Sequence, residues 1–188
     1  MFGYLVLLAL SINACGNNYK NVFESNPQYL SQGFTYPVGK IKGMNQFYNA
    51  QGFGENNHLG DDWNGIGGGN TDLGEAIYSV SNGYVSKAYD AGPGWGNVVC
   101  IIHYYKTADT SFYVESLYAH LDEILVDETT FVTKGQQIGT MGNANGTYLT
   151  HLHFEIRSKI DMPLGCGYSS KSDGYLDPTV FIEQFATN

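Results

Sequence analysis

From Phe34 onward the chain runs in short stretches rich in Val, Ile, Tyr and Phe, each closed within a few residues by glycine, proline or asparagine. That punctuation favours many short β-strands joined by tight turns. Ala76 to Val80 is followed by Ser81-Asn82-Gly83, a hairpin signal because Asn-Gly tolerates positive φ at both central positions. Tyr84 to Tyr89 leads into the turn Gly92-Pro93-Gly94. Gly96 to Tyr105 and Phe112 to His120 are the clearest strands. Lys134 to Gly139 predicts a tight turn entering a short strand, and Leu149 to Ile156 the last strand of the core. Asp177-Pro178 offers an N-cap and a first-turn proline for one helix, with Phe181, Ile182 and Phe185 on one face. The expected fold is mainly β, of twisted antiparallel sheets, with a short C-terminal helix.

At 188 residues the chain has room for one domain with a sizeable core. Nine basic against eighteen acidic residues give a net charge of -9, which repels phosphate backbones and makes nucleic acid a poor partner. Residues 1–14 carry no charged side chain and centre on the apolar run Tyr4 to Leu10. A bilayer span needs ~20 apolar residues, so this run suits the core of a signal peptide instead. Cys15 follows in Ile12-Asn13-Ala14-Cys15-Gly16, which resembles the bacterial lipobox whose cysteine becomes lipidated after cleavage. A plain cleaved signal near Ala14 is the other reading, and both export the protein. Residues 15–35, rich in Asn, Ser, Gln and Gly, are expected as the anchor cysteine and a spacer, and 36–188 as the domain. Cys100 and Cys166 could pair once exported, or Cys100 could be a small buried hydrophobe; both readings stay open.

Chemistry concentrates at the histidines. In His151-Leu152-His153, strand-like flanks put both imidazoles on one face and Leu152 on the other. In His58-Leu59-Gly60-Asp61-Asp62, an extended backbone puts His58 and Asp62 together and Asp61 opposite. The two segments supply His, Asp and His, three ligands suited to zinc with a fourth position left for water, as a catalytic site requires. No cysteine lies near either segment, which argues against a closed structural site. His120 ends a strand, on the face that alternation assigns to Ser116 and Tyr118. His103 has no such company and is expected to be structural. Glu155 and Arg157 alternate with Phe154 and Ile156, ordinary half-exposed patterning.

With these pieces in order, the chain resembles the lysostaphin/LytM-type zinc endopeptidases, peptidase family M23. The likeness spans roughly Pro37 to Arg157 and includes Gly83-Tyr84-Val85, Gly96-Asn97-Val98, Lys134 to Gly139 and Gly142 to Gly146. It implies a fold of the duplicated hybrid motif type, with zinc (Zn2+) held by His58, Asp62 and His153 and a catalytic pair His120 and His151. It implies hydrolysis of amide bonds in the peptide part of peptidoglycan, and the export segment with Cys15 fits that address as an envelope lipoprotein held to a membrane through its lipid. Asp61 beside Asp62 and the long loop Gly65 to Gly74 depart from compact members. The alternative is a LytM-like protein that activates a separate cell-wall amidase without cutting anything itself.

Overall fold

The apolar run Val98–Ile102 is continuous because it is covered on both faces. In the computed structural model, which describes residues 16–39 and 46–186, it lies in β5 (Asn97–Lys106), paired antiparallel with β6 (Ser111–Ile124). Val99 and Ile101 enter the main core; Val98 and Cys100 join Leu117 and Ala119 in a smaller cluster on the opposite face. The flanking strands are β1 (Phe47–Gln51), β2 (Asp61–Gly65), β3 (Ala76–Tyr78), β4 (Gly83–Asp90), β7 (Phe131–Val132), β8 (Gln137–Met141), β9 (Leu152–Arg157) and β10 (Tyr175–Leu176). Their order is β1-β2-β9-β6-β5-β4-β7, all antiparallel, with β10 extending the edge of β9 beyond β2 and with β8 joining β3 to β6. The mainly β, antiparallel class is as expected.

The turn at Ala91–Gly96 closes the β4–β5 hairpin, with the Ala91 and Gly96 amides donating to the Gly96 and Gly92 carbonyls. Asp177 caps the C-terminal helix α2 (Pro178–Phe185) by accepting from the Val180 amide, and Phe181 and Ile182 bury. The Asn82-Gly83 hairpin is absent: β3 pairs with β8, and β4 with β5 and β7. Asn82 instead ties segments together, donating to Leu30 O and accepting from the Lys134 amide. Gly83 is required for close approach, since a Cβ there would lie 2.6 Å from Ile101 Cγ2 and 2.8 Å from Ile102 O. Gly83→Ala is therefore expected to destabilise the fold by ~1–3 kcal/mol in urea unfolding, the cost of overpacking.

Residues 16–35 also differ from the expected spacer. They begin with helix α1 (Gly16–Glu24), whose Phe23 is fully buried among the rings of Tyr104, Tyr113 and Phe131. Tyr29 stacks on Phe131, Ser31 bridges to Tyr105, and the Phe34 amide donates to Phe185 O. Polar composition concealed three aromatic anchors, Phe23, Tyr29 and Phe34, that dock this stretch onto the sheet. The expected signal segment, 1–14, and Cys15 lie outside the described residues.

His103 is structural, as its sequence context implied. It is fully buried, its Nδ1–H donating to Asn82 O (2.9 Å) while Nε2 faces the Ser116 hydroxyl (2.7 Å). Burial pushes its pKa down to about 4. Because the folded value lies below the unfolded one of ~6.5, protonation favours the unfolded chain. The contribution is whole above pH ~6.5 and lost as pH falls toward 4, roughly 3 kcal/mol in all. A His103→Gln variant should lose less stability than the wild type between pH 7 and pH 4.5 in urea titrations.

Candidate metal centre

Three elements bring the site together. His58 closes the helical turn Glu55–Asn57 in an extended conformation and bridges to Tyr168, while the Leu59 amide donates to Gly167 O. Asp62 lies on β2 directly opposite His153 of β9 in the ladder, and β9 in turn pairs Ala119 of β6 with His153. Strand alternation then does the sorting: Leu152, Phe154 and Ile156 enter the main core, leaving His153 on the other face.

The outcome is a tight triangle. His58 Nε2 is 3.0 Å from His153 Nδ1 and 3.3 Å from Asp62 Oδ1, and His153 Nδ1 is 3.0 Å from Asp62 Oδ1. Among the described residues these three form the one cluster of His, Cys, Asp or Glu placed to share a metal ion. His153 Nε2 lies 2.9 Å from Glu155 Oε1, which can only accept, so Nε2 carries a proton. Nδ1 faces a second carboxylate oxygen and the His58 ring nitrogen, so the three atoms need a cation between them, either a proton or a metal ion. Ligands ~2.0–2.1 Å from a tetrahedral zinc would stand roughly 3.3–3.4 Å apart, close to the separations found. The residues therefore fit a divalent ion, and the N,N,O donor set suits zinc.

Without a metal the same triangle is held by protons. Burial alone would raise the Asp62 pKa, but hydrogen bonds from His153 and His58 and the nearby imidazoles hold it well below the usual carboxylate range. Burial alone would lower that of His153, but Asp62 and Glu155 raise it to about 9. Asp61 points the other way, as alternation required. It accepts from the Phe53 amide and the Thr179 hydroxyl, tying β2 to α2.

His120 and His151 flank the triangle, their rings 4.7 Å apart. His151 precedes β9, and its Nε2 is 3.9 Å from Asp62 Oδ1. His120 does not share a face with Ser116 and Tyr118, which turn into the core network around His103. Its φ is +62°, and β6 carries one extra residue there: Val99 pairs with Tyr118 but Asn97 with Leu121. This bulge swings His120 out of the alternation, toward His153. Gly142 makes room for the bulge, since a Cβ would lie 2.4 Å from both His120 O and the Asp122 amide. A carbonyl holds Nδ1 of each ring, Trp95 O for His120 (3.1 Å) and Leu149 O for His151 (2.8 Å). Both neutral rings thus present a bare Nε2. Burial, then His151 and His153, push the His120 pKa down to about 3.

These groups open onto a cavity of about 360 Å3, walled by Trp95, Tyr148 and Tyr168. Cys166 also lies on its wall; it and Cys100 are free thiols. The sequence reading missed the aromatic walls, which come from loops, and it missed Glu155 and Arg157. Both of the latter are fully buried beneath residues 158–168 rather than half-exposed. Only the continuous polar–apolar register of β9 hinted at them.

A β-sheet scaffold presents His58, Asp62 and His153 as a candidate metal centre, and comparison with known proteins gives the family. Peptidase family M23 matches residues 62–164, more than half the chain, and the chain belongs to that family. It is 44% identical over 86 residues to the murein hydrolase activator NlpD of Escherichia coli (strain K12), covering 46% of this chain. That stretch spans only 21% of the relative's length. A zinc-containing peptidase from Vibrio cholerae is 25% identical, with a TM-score of 0.50, over 71% of this chain and 41% of that one. Lysostaphin from Staphylococcus simulans shares the fold at 23% identity and TM-score 0.54, over 75% of this chain and 51% of that one.

Proposed function

We propose that the protein is a zinc-dependent endopeptidase that hydrolyses amide bonds in the peptide part of peptidoglycan. The observation that carries this reading is the His58–Asp62–His153 triangle, whose potential ligand atoms lie 3.0–3.3 Å apart. His58, Asp62 and His153 would hold the ion. When bound, zinc supplies Lewis acidity that polarises a carbonyl and acidifies water toward neutrality.

The chain's own groups do the rest. Nε2 of His151, held toward Asp62, is placed to take a proton from the attacking water and return it to the leaving amine. His120, kept neutral by its burial, accepts a hydrogen bond through Nε2 and orients that water. Trp95, Tyr148 and Tyr168 flank the reacting atoms and limit competing water. Peptidoglycan as substrate is supported by the family and by relatives named for murein. An envelope address, with Cys15 as lipidation site, is supported by relatives named as lipoproteins, NlpD of Yersinia enterocolitica and antigenic lipoprotein B of Haemophilus influenzae.

A second reading, activation of a separate murein hydrolase, is favoured by the likeness to relatives named as activators. Such a role needs no metal and no proton carriers, whereas all five side chains are present and assembled here. Purified protein would be assayed for zinc and incubated with peptidoglycan, with released fragments weighed by mass spectrometry. One zinc per chain and newly cut peptide amides are expected. Intact peptides together with stimulation of an added amidase would overturn the enzyme reading in favour of the activator.

A further inference from the structure

Three charged side chains lie in the interior behind the metal centre, and the proposed chemistry uses none of them. Glu115, Glu155 and Arg157 are each fully buried. Burying charge costs several kcal/mol per ion unless every group is paired, so such a cluster has to be accounted for. The bonds run in one line. His153 Nε2–H meets Glu155 Oε1 at 2.9 Å, and Arg157 Nε donates to Glu155 Oε2 at 2.7 Å. Arg157 Nη1 donates to Glu115 Oε1 at 3.2 Å, and Nη2 to Leu164 O at 3.1 Å. Glu115 Oε2 accepts from the Asp161 amide at 3.0 Å.

Two consequences follow. Both oxygens of Glu155 are committed, one to the imidazole and one to the guanidinium, so its plane is fixed and with it the ring of His153. Both ring nitrogens of His153 face carboxylate oxygens, Nδ1 that of Asp62 and Nε2 that of Glu155. A metal ion at the triangle takes the place of the Nδ1 proton, and because Glu155 can only accept, the remaining ring proton stays on Nε2 and leaves the Nδ1 lone pair for the ion.

We propose that Glu155 is a positioning residue that sets the tautomer and orientation of His153 for metal binding, with Arg157 Nε holding its second oxygen. This rests on the zinc reading above. Glu155→Gln removes the charge and introduces an amide that can present N–H groups to Nε2, favouring the tautomer that blocks Nδ1. Outer partners of metal-bound histidines typically contribute ~10–100-fold in affinity.

The test is zinc affinity of the purified chain, measured by competition with a chromophoric chelator, beside urea unfolding of the same samples. Glu155→Gln is expected to bind zinc 10–100-fold more weakly. Glu115→Gln, which perturbs the same buried cluster but leaves the His153–Glu155 bond, is expected to change affinity less than about threefold at a comparable loss of stability. Equal losses of affinity in both would mean the cluster merely supports the fold, and would overturn the proposal. Should Glu155→Gln not fold, nitrogen-15 NMR of the zinc-loaded wild type decides. A slowly exchanging Nε2–H with metal on Nδ1 of His153 is expected; metal on Nε2 overturns the assignment. Wild-type protein that binds no zinc would overturn the functional reading too, whereas tight wild-type binding unchanged by Glu155→Gln would overturn this one alone.

Discussion

Asp62→Ala is expected to leave a folded protein that no longer retains zinc, while Asp61→Ala, one residue away, is expected to keep it. The two carboxylates are adjacent in sequence and opposite in space. Asp62 Oδ1 lies 3.0 Å from His153 Nδ1 and 3.3 Å from His58 Nε2. Removing it takes one of three ligands and the negative charge that favours a cation there. The loss of affinity should exceed the ~100-fold typical of an outer hydrogen bond. Asp61 has its oxygens on the Phe53 amide and the Thr179 hydroxyl. Its removal leaves a buried donor unsatisfied and should cost ~1–3 kcal/mol of stability with the metal site intact. Elemental analysis of dialysed protein and urea unfolding of both variants report the two effects separately. Retained zinc in Asp62→Ala, or its loss in a folded Asp61→Ala, would refute the ligand assignment.

The triangle was legible in the sequence because strand geometry is local. Residues two apart on extended backbone share a face, so His151 with His153 could be grouped before any fold was known. The same premise groups His58 with Asp62, but the chain bends at Leu59 and Gly60 before β2 begins, so that bend and not a strand brings them together. That the two groups meet is a matter of register, Asp62 opposite His153 in the β2–β9 ladder, which no local pattern states. Here the family resemblance supplied what periodicity could not. His120 shows the opposite case. Alternation placed it with Ser116 and Tyr118, and only the extra residue at the bulge, with φ at +62°, returns it to the site.

The misread elements share one cause: local composition carries no record of distant partners. Asn82-Gly83 has the composition of a hairpin turn, yet the glycine serves the approach of Ile101 and Ile102 from β5. Residues 16–35 have the composition of a linker, yet Phe23 fills a space between rings more than eighty positions away. Glu155 and Arg157 alternate like solvent-facing residues, yet the second face of β9 is closed by the loop that follows it. A polar strand face is exposed by default, and burial of that face is decided by segments outside the pattern.

Replacing His151 or His120 by alanine is expected to lower peptide cleavage by ~10²–10⁴-fold while zinc stays bound, the range typical of losing a positioned proton carrier. Neither ring belongs to the triangle: His151 Nε2 is 3.9 Å from Asp62 Oδ1, and His120 is tethered to Trp95 O on β6's bulge. Their Nδ1–H groups are spent on backbone carbonyls, so the reactive nitrogen of each is Nε2 and points inward. The two losses should differ in kind. His120 is held neutral, its pKa depressed to about 3, and cannot be the group that titrates near neutrality. Any acid limb of the rate–pH profile in that range should therefore survive His120→Ala at reduced amplitude. A His151→Ala protein that cuts peptidoglycan at the wild-type rate would remove the proton carrier from the mechanism. A wild type that binds zinc, cuts nothing and stimulates an added amidase would assign the protein to activation.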